Sequence, residues 1–219
     1  MIHPSPAGLK SGMGKQGYHH GNLRQALVDA TLRLIAEKGP QGFTMAEAAK
    51  LAEVSTAAPY RHFPGREALI AEAARQGFEI FVERMEAAFD DARPNPLAAF
   101  MATGRAYLAF ARSNAGHYVA MFESGLSVNT NPELADAAGR AQAILTRAAA
   151  ALSAHLPPDR RPPAAMFAAH VWAMSHGVVE LYARGAPGAR SPYPPEDLLE
   201  SGIGVYLRGL GLIPPDTEV

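Results

Sequence analysis

Residues 54–63 read VSTAAPYRHF, a run too short to stand alone as a helix, yet it opens near a good N-cap and ends in tyrosine, arginine, histidine and phenylalanine. With Ser55 as the cap, Pro59 falls at the end of the first turn. Backbone N–H groups there have no intrahelical partner, so a missing donor costs little. On a helical wheel Thr56, Ala57, Tyr60 and Arg61 share one side, while Pro59 and Phe63 lie near each other on another that can face a core. The outward side is small at its leading end and hydrogen-bonding at its trailing end. Such a helix can enter a DNA major groove tip first, with Tyr60, Arg61 and His62 near the phosphates. A helical hairpin with polar residues facing solvent has the same spacing, so the spacing alone leaves both readings open.

Upstream, Asn22 is a good N-cap with Gln25 three residues on, and Leu23, Leu27, Ala30, Leu34 and Ile35 follow with helical periodicity. Lys38, Gly39 and Pro40 then stop the helix. Thr44 and Glu47 form a second capping box, and Met45, Ala48, Ala49 and Ala52 give that helix a buried face of small side chains. Two short helices joined by about three residues must cross steeply, which is a helix-turn-helix. Downstream, Leu69, Ala73, Phe78, Phe81, Met85 and Phe89 stripe a helix from Arg66 to about Ala92, roughly 40 Å long. Arg93-Pro-Asn-Pro breaks it. Further helices fit Leu97–Arg112, His117–Glu123, Glu133–His155, Ala164–Ala183 and Glu196–Leu210, with Gly-, Pro- and Asn-rich turns between them. No strand alternation or internal repeat is visible. The predicted fold is all-α: a three-helix helix-turn-helix head (18–66), a connecting helix (67–92) and a helical body (93–212). A Gly/Pro/Ser-rich arm (1–17), expected to be disordered, and a tail (213–219) flank them.

The formal net charge of −1 conceals an asymmetry. Residues 1–66 hold eight Lys/Arg against four Asp/Glu, a net +4, and the remainder carries −5. A basic end on an acidic body points to an anionic partner for the first third. The absence of cysteine excludes disulfides and thiolate metal sites and suits a reducing cytoplasm, the expected location. The first twenty residues lack an apolar core of signal-peptide length. The longest uncharged run, Pro162 to Val179, has two prolines and two histidines and reads as a buried helix, so no membrane partner is expected.

The stretch YHHGNLRQALVDATLRLIAEKG…FTMAEAAKLAEVSTAAPYRHFPGREALI resembles the DNA-binding head of the TetR family of bacterial transcriptional regulators. The resemblance covers residues 18–70 and is carried chiefly by Thr44, Val54, Ser55, Tyr60, His62, Phe63 and Arg66-Glu67-Ala68-Leu69. The segment Trp172-Ala-Met-Ser-His176-Gly177 resembles the tryptophan–histidine–glycine signature of one branch's C-terminal domain. The resemblance implies a body that dimerises through its last two helices and holds a small-molecule effector, with no cofactor. It implies phosphate binding by Thr44, Tyr60, His62 and Arg66, and base contact by Thr56 and Ala57. An alanine offers bases little beyond contact with a thymine methyl, so readout leans on Thr56, Tyr60 and Arg61. One departure stands out: Glu53 occupies a turn position where the family usually has glycine. A left-handed backbone there would cost about 1–2 kcal/mol, and the carboxylate would approach phosphates.

The expected lining of an apolar effector pocket is Phe100, Tyr107, Met121, Phe122, Phe167, His170 and Met174. Trp172 and His176 share a helix face, where a hydrogen-bonded core histidine beneath a tryptophan is favoured over a ligand contact. The expected dimer face comprises Trp172, Val179, Leu199, Ile203, Tyr206 and Leu210. His19 and His20 have no nearby carboxylate or cysteine, so a place beside DNA is favoured over a metal site. No G-x-S-x-G, H-E-x-x-H or phosphate-cradling glycine loop is present, which argues against an enzyme. The expected function is a ligand-responsive repressor that binds a palindromic double-stranded DNA operator as a homodimer. The alternative is a helical adaptor or ligand-binding protein that has lost specific DNA binding.

Overall fold

The computed structural model describes residues 23–183 and 191–214. The expected arm, the Asn22 cap, His19, His20 and residues 215–219 lie outside them. Among the described residues the fold is all-helical. Helix α1 (Leu23–Lys38) buries Leu27, Val28, Leu34 and Ile35 and ends at Gly39. The φ of +76° at Gly39 lets its N–H reach the Ile35 carbonyl at 2.9 Å. Helix α2 (Met45–Leu51) opens with the expected reciprocal box: Thr44 Oγ1 accepts from the Glu47 N–H at 3.2 Å, and the Thr44 N–H donates to Glu47 Oε2 at 2.8 Å.

The third helix of the head departs from expectation. Thr56–Ala58 form a turn, and only Pro59–Arg61 are helical, as a single 3-10 turn. Pro59 has no N–H to give the Ser55 carbonyl, which accepts instead from Ala58 at 3.0 Å and tightens the local winding. Ser55 thus contributes its carbonyl, and the 3-10 turn has no side-chain cap.

Helix α3 (Arg66–Phe89) is the spine, about 36 Å long. It stops three residues earlier than expected because Asp90, Asp91 and Ala92 all take positive φ. The body follows as α4 (Pro96–Ser113), α5 (Ala115–Phe122), α6 (Pro132–Ser153), α7 (Ala164–Val178) and α8 (Pro195–Gly209). Asn95 and Asn131 cap α4 and α6 through their side-chain oxygens. The single helix expected over 164–183 divides into α7 and a π-helical turn over Val179–Ala183.

Packing around the spine joins head to body. Phe81 sits edge-on to Tyr107 and Phe110 of α4, with centroids 5.3 and 5.2 Å away. Helix α5 wedges between α1 and α3, and two glycines permit the close approach. A Cβ on Gly116 would lie 2.6 Å from the Leu32 carbonyl oxygen of α1, and one on Gly77 of α3 would lie 2.6 Å from Met121 Sδ.

Glu72 of α3 is buried, 5 % exposed, and accepts from Arg24 of α1 at 2.6 Å, from Arg75 at 2.8 and 2.9 Å and from Gln76 at 2.9 Å. Burial opposes its ionisation, but the Arg75, Arg24 and Gln76 hydrogen bonds outweigh that penalty and hold the carboxyl at about 2. A depressed folded-state pKa contributes stability that is complete above the unfolded value near 4.5 and is lost as pH falls towards 2. Glu72→Gln should therefore lower stability at pH 7. Urea titrations at successive pH values should show a smaller stability loss between pH 4.5 and 2 in the variant than in the wild type.

Candidate DNA-binding tip and effector cavity

The tip follows from what the chain buries. Pro59 and Phe63 face inward, with Phe63 3 % exposed, and the Phe63 N–H donates to the Pro59 carbonyl at 2.9 Å. The Arg24 guanidinium lies over the Phe63 ring, 5.2 Å from its centroid. With that side fixed, Ser55, Thr56, Ala57, Tyr60, Arg61 and His62 are all exposed, and Tyr60 keeps 59 % of its surface open to solvent. Tyr60 and Arg61 lie in the 3-10 turn and Ser55, Thr56 and Ala57 in the turn before it, so the outward residues do not share one helical face.

Thr44 and Arg66 are more constrained than expected. The Thr44 hydroxyl and N–H both donate to Glu47 Oε2, at 3.0 and 2.8 Å, so a phosphate arriving there must displace a carboxylate. Lys38 binds the same carboxylate at 2.6 Å and, with Thr44, holds Glu47 down at about 2. The Arg66 guanidinium turns back to the loop between α1 and α2. It donates to the Gln41 side chain at 2.6 Å and to the Gln41 and Phe43 carbonyls at 3.1 and 3.4 Å. Arg66 therefore braces the head in this structure.

Glu53 is left-handed, with φ of +57°. Its N–H bonds the Lys50 carbonyl and the Val54 N–H bonds the Ala49 carbonyl, the paired bonds of a Schellman ending to α2. The strain that glycine would avoid is present, and the exposed carboxylate sits at the turn leading into the tip.

In the body a cavity of about 300 Å³ opens between α3, α5, α6 and α7. Phe78 and Phe81 of α3, Met121 and Phe122 of α5, and Trp172 of α7 form its aromatic side. Ala135, Ala138, Gly139 and Ala141 of α6 form the opposite, small-residue side, with Asn129 and Gln142 adding side-chain amides. Of the seven expected pocket residues, only Met121 and Phe122 line this cavity. Phe100 and Phe167 pack against each other in the core, with centroids 5.3 Å apart. His170 is exposed and pairs with the Tyr206 hydroxyl at 2.8 Å, and Met174 is half-buried. The alanine-rich face of α6 carried no ligand-type residue, so the sequence did not mark it.

Behind the aromatic wall, His176 Nδ1 lies 3.0 Å from the Tyr107 hydroxyl and 2.8 Å from that of Tyr118. Trp172 Nε1 donates to the Tyr107 oxygen at 3.3 Å. Burial pushes the Tyr107 phenol up to about 12 and raises Tyr118 further, so both remain protonated. His176 acts as a hydrogen-bonded core histidine that fixes the ring positions around Trp172.

Of the expected dimer face, Trp172, Tyr206 and Leu210 are half-buried and the other three residues are turned inward. Val179, Leu199 and Ile203 are at most 2 % exposed because they pack inside the chain. The outward apolar surface of these helices includes Met166, Ala169 and Ala173 on α7 and Gly202 and Val205 on α8. A Cβ on Gly202 would meet no atom within 4 Å.

The geometry is that of a helix-turn-helix head on a helical body, and comparison with known proteins agrees. The family model for bacterial regulatory proteins of the tetR family matches residues 27–73, and that for a tetracyclin repressor-like C-terminal domain matches residues 100–206. The chain belongs to the TetR family. A protein with unknown function from Rhodococcus sp. RHA1 has a similar structure, with a TM-score of 0.74 and 26% identity over 89% of this chain and 98% of that one. The TetR family transcriptional regulator PfmR from Thermus thermophilus shares the fold at a TM-score of 0.65 and 19% identity, covering 83% and 97% of the two chains. The fatty acid degradation regulator FadR from Bacillus halodurans gives 0.68 and 14% identity, covering 88% and 98%. No curated protein sequence matches the chain. The matched C-terminal description does not specify a tryptophan–histidine–glycine branch. Among the described residues no helix is long and apolar enough to cross a membrane.

Replacing Glu53 with glycine removes a left-handed penalty of about 1–2 kcal/mol, partly offset by the greater freedom glycine gives the unfolded chain. Chemical denaturation should show Glu53→Gly to be more stable than the wild type by about 0.5–1 kcal/mol. An unchanged or lower midpoint would place the strain elsewhere.

Proposed function

We propose that the protein is a ligand-responsive repressor that binds a palindromic DNA operator as a homodimer. The observation that carries this reading is the tip itself. Two buried residues anchor it, and the side chains left outside are the small and hydrogen-bonding groups suited to a major groove. Thr56 and Ala57 lead towards base edges, while Tyr60, Arg61 and His62 flank them to meet phosphates, which set register. The net +4 of residues 1–66 supports docking on an anion.

Dimerisation would place two tips on one face of a duplex, about one helical turn or more apart. The exposed row on α7 and α8 suits a two-fold interface because its small residues let helix backbones approach closely. Gly202→Glu should convert a dimer to a monomer in analytical ultracentrifugation and abolish cooperative operator binding. A variant that remains dimeric would exclude this face.

Effector response follows the α5 wedge. Met121 and Phe122 line the cavity, while Gly116 at the other end of α5 touches the backbone of α1. The Gln41 amide of the head also donates to the Ser124 carbonyl just beyond α5, at 3.2 Å. An occupant that moves α5 shifts the head, and its differential affinity for the two head positions sets the response.

The test is a salt-titrated gel shift on the DNA beside the protein's own gene. Tyr60→Phe should weaken binding about five- to tenfold, the loss of one phosphate hydrogen bond. Arg61→Ala should reduce the slope of log affinity against log salt by about 0.9. If neither variant changes binding, the tip assignment fails. The second reading, an adaptor without specific DNA binding, draws on the exposed Glu53 carboxylate and the internally engaged Thr44 and Arg66. Equal affinity for operator and random duplex would favour it.

A further inference from the structure

The body cavity has a shape and polarity that restrict its occupant. Its two long walls differ. One is aromatic, with Phe122 set edge-on to Phe78 at 5.7 Å and to Trp172 at 6.3 Å. The other, on α6, is built mostly of small side chains, Ala135, Ala138, Gly139 and Ala141, with Gln142 and Leu145 beside them, and Val128 completes it. A space between small side chains and a ring-lined wall suits an aromatic body, which can meet those rings edge-on or stacked. Its volume, about 300 Å³, equals that of about ten liquid water molecules, which fits one or two fused rings with a small substituent.

Polarity narrows the choice further. No residue lining the cavity is ionisable. An ion inside would lose its hydration without a counter-charge, at a cost of several kcal/mol. The acidic balance of residues 67–219 adds a field that repels anions in particular. The side-chain amides come from Asn129 and Gln142, both exposed and so at the cavity's solvent side, where they can donate to or accept from a neutral polar group. Trp172 is held through its N–H by Tyr107, so the aromatic wall is set before anything binds.

We infer that the cavity takes an uncharged, planar aromatic molecule of one or two rings with a single neutral hydrogen-bonding group at its solvent end. The inference deepens the ligand-responsive reading by specifying the class of effector, and it excludes carboxylates and phosphorylated compounds as occupants of this cavity.

A matched pair of probes tests it. 2-Naphthamide and 2-naphthoate have the same ring system and nearly the same size but differ in charge at pH 7. Isothermal titration calorimetry on the full-length chain should show the amide binding more than tenfold more tightly than the carboxylate. Trp172, the only tryptophan in the chain, should change its fluorescence as the amide binds. Ala138→Phe fills the cavity and should eliminate amide binding. Gly139→Leu, which replaces a helix-weakening residue, serves if the first variant does not fold. Naphthoate binding as tightly as the amide would overturn the charge argument. Amide binding that survives in a folded, cavity-filled variant, or no amide binding by the wild type, would overturn the site. These outcomes leave the DNA-binding reading intact, because that is judged by the separate gel shift of Tyr60→Phe and Arg61→Ala.

Discussion

One guanidinium ties the exposed tip of the head to its frame. Arg24 spreads over the buried Phe63 ring and at the same time donates to Glu72 on the spine helix at 2.6 Å. Phe63 and Pro59 determine which side of the tip is hidden, and Arg24 determines where that tip sits relative to α3. Glu72 makes the arrangement rigid because a buried carboxylate must keep its partners; losing one leaves an uncompensated charge in a poorly solvated site. The exposed side chains from Ser55 to His62 derive their common direction from this arrangement.

The same spine carries the body. Phe78 and Phe81 of α3 face the cavity, and Glu72, about two turns earlier, faces the head. Helix α5 runs alongside, with a glycine contact to α1 near its start and cavity-lining side chains at its end. About two helical turns therefore separate the apolar cavity from the base of the head. A side chain at Gly116 would push against the Leu32 backbone and force α5 from α1, whereas one at Gly77 would first displace the flexible Met121 thioether.

Helix boundaries were legible where local chemistry defines them. The Thr44–Glu47 box and the Gly39 stop each depend on residues close to one another in sequence. The tip's outward residues were also legible, because Pro59 and Phe63 can be buried together under either helical winding. The 3-10 geometry was not, since it turns on one missing N–H competing with its neighbours for the Ser55 carbonyl. The internal partners of Arg66 and the lining of the cavity were not legible for a different reason: both depend on contacts between segments distant in sequence. Arg66 finds carbonyls at positions 41 and 43, and the cavity's second wall consists of alanines that read as ordinary core. Buried Leu199 and Ile203 show the same limit, because a helix stripe does not reveal whether its partner is the same chain or another copy.

The most direct measurement is hydrogen–deuterium exchange on the full-length protein, with and without a duplex recovered by footprinting beside its gene. The account predicts new protection over Thr44–Glu47 and Ser55–His62, on amides near the phosphates or in the groove. Exchange at those amides that is unchanged under saturating duplex, with protection appearing elsewhere on the molecule, would contradict it.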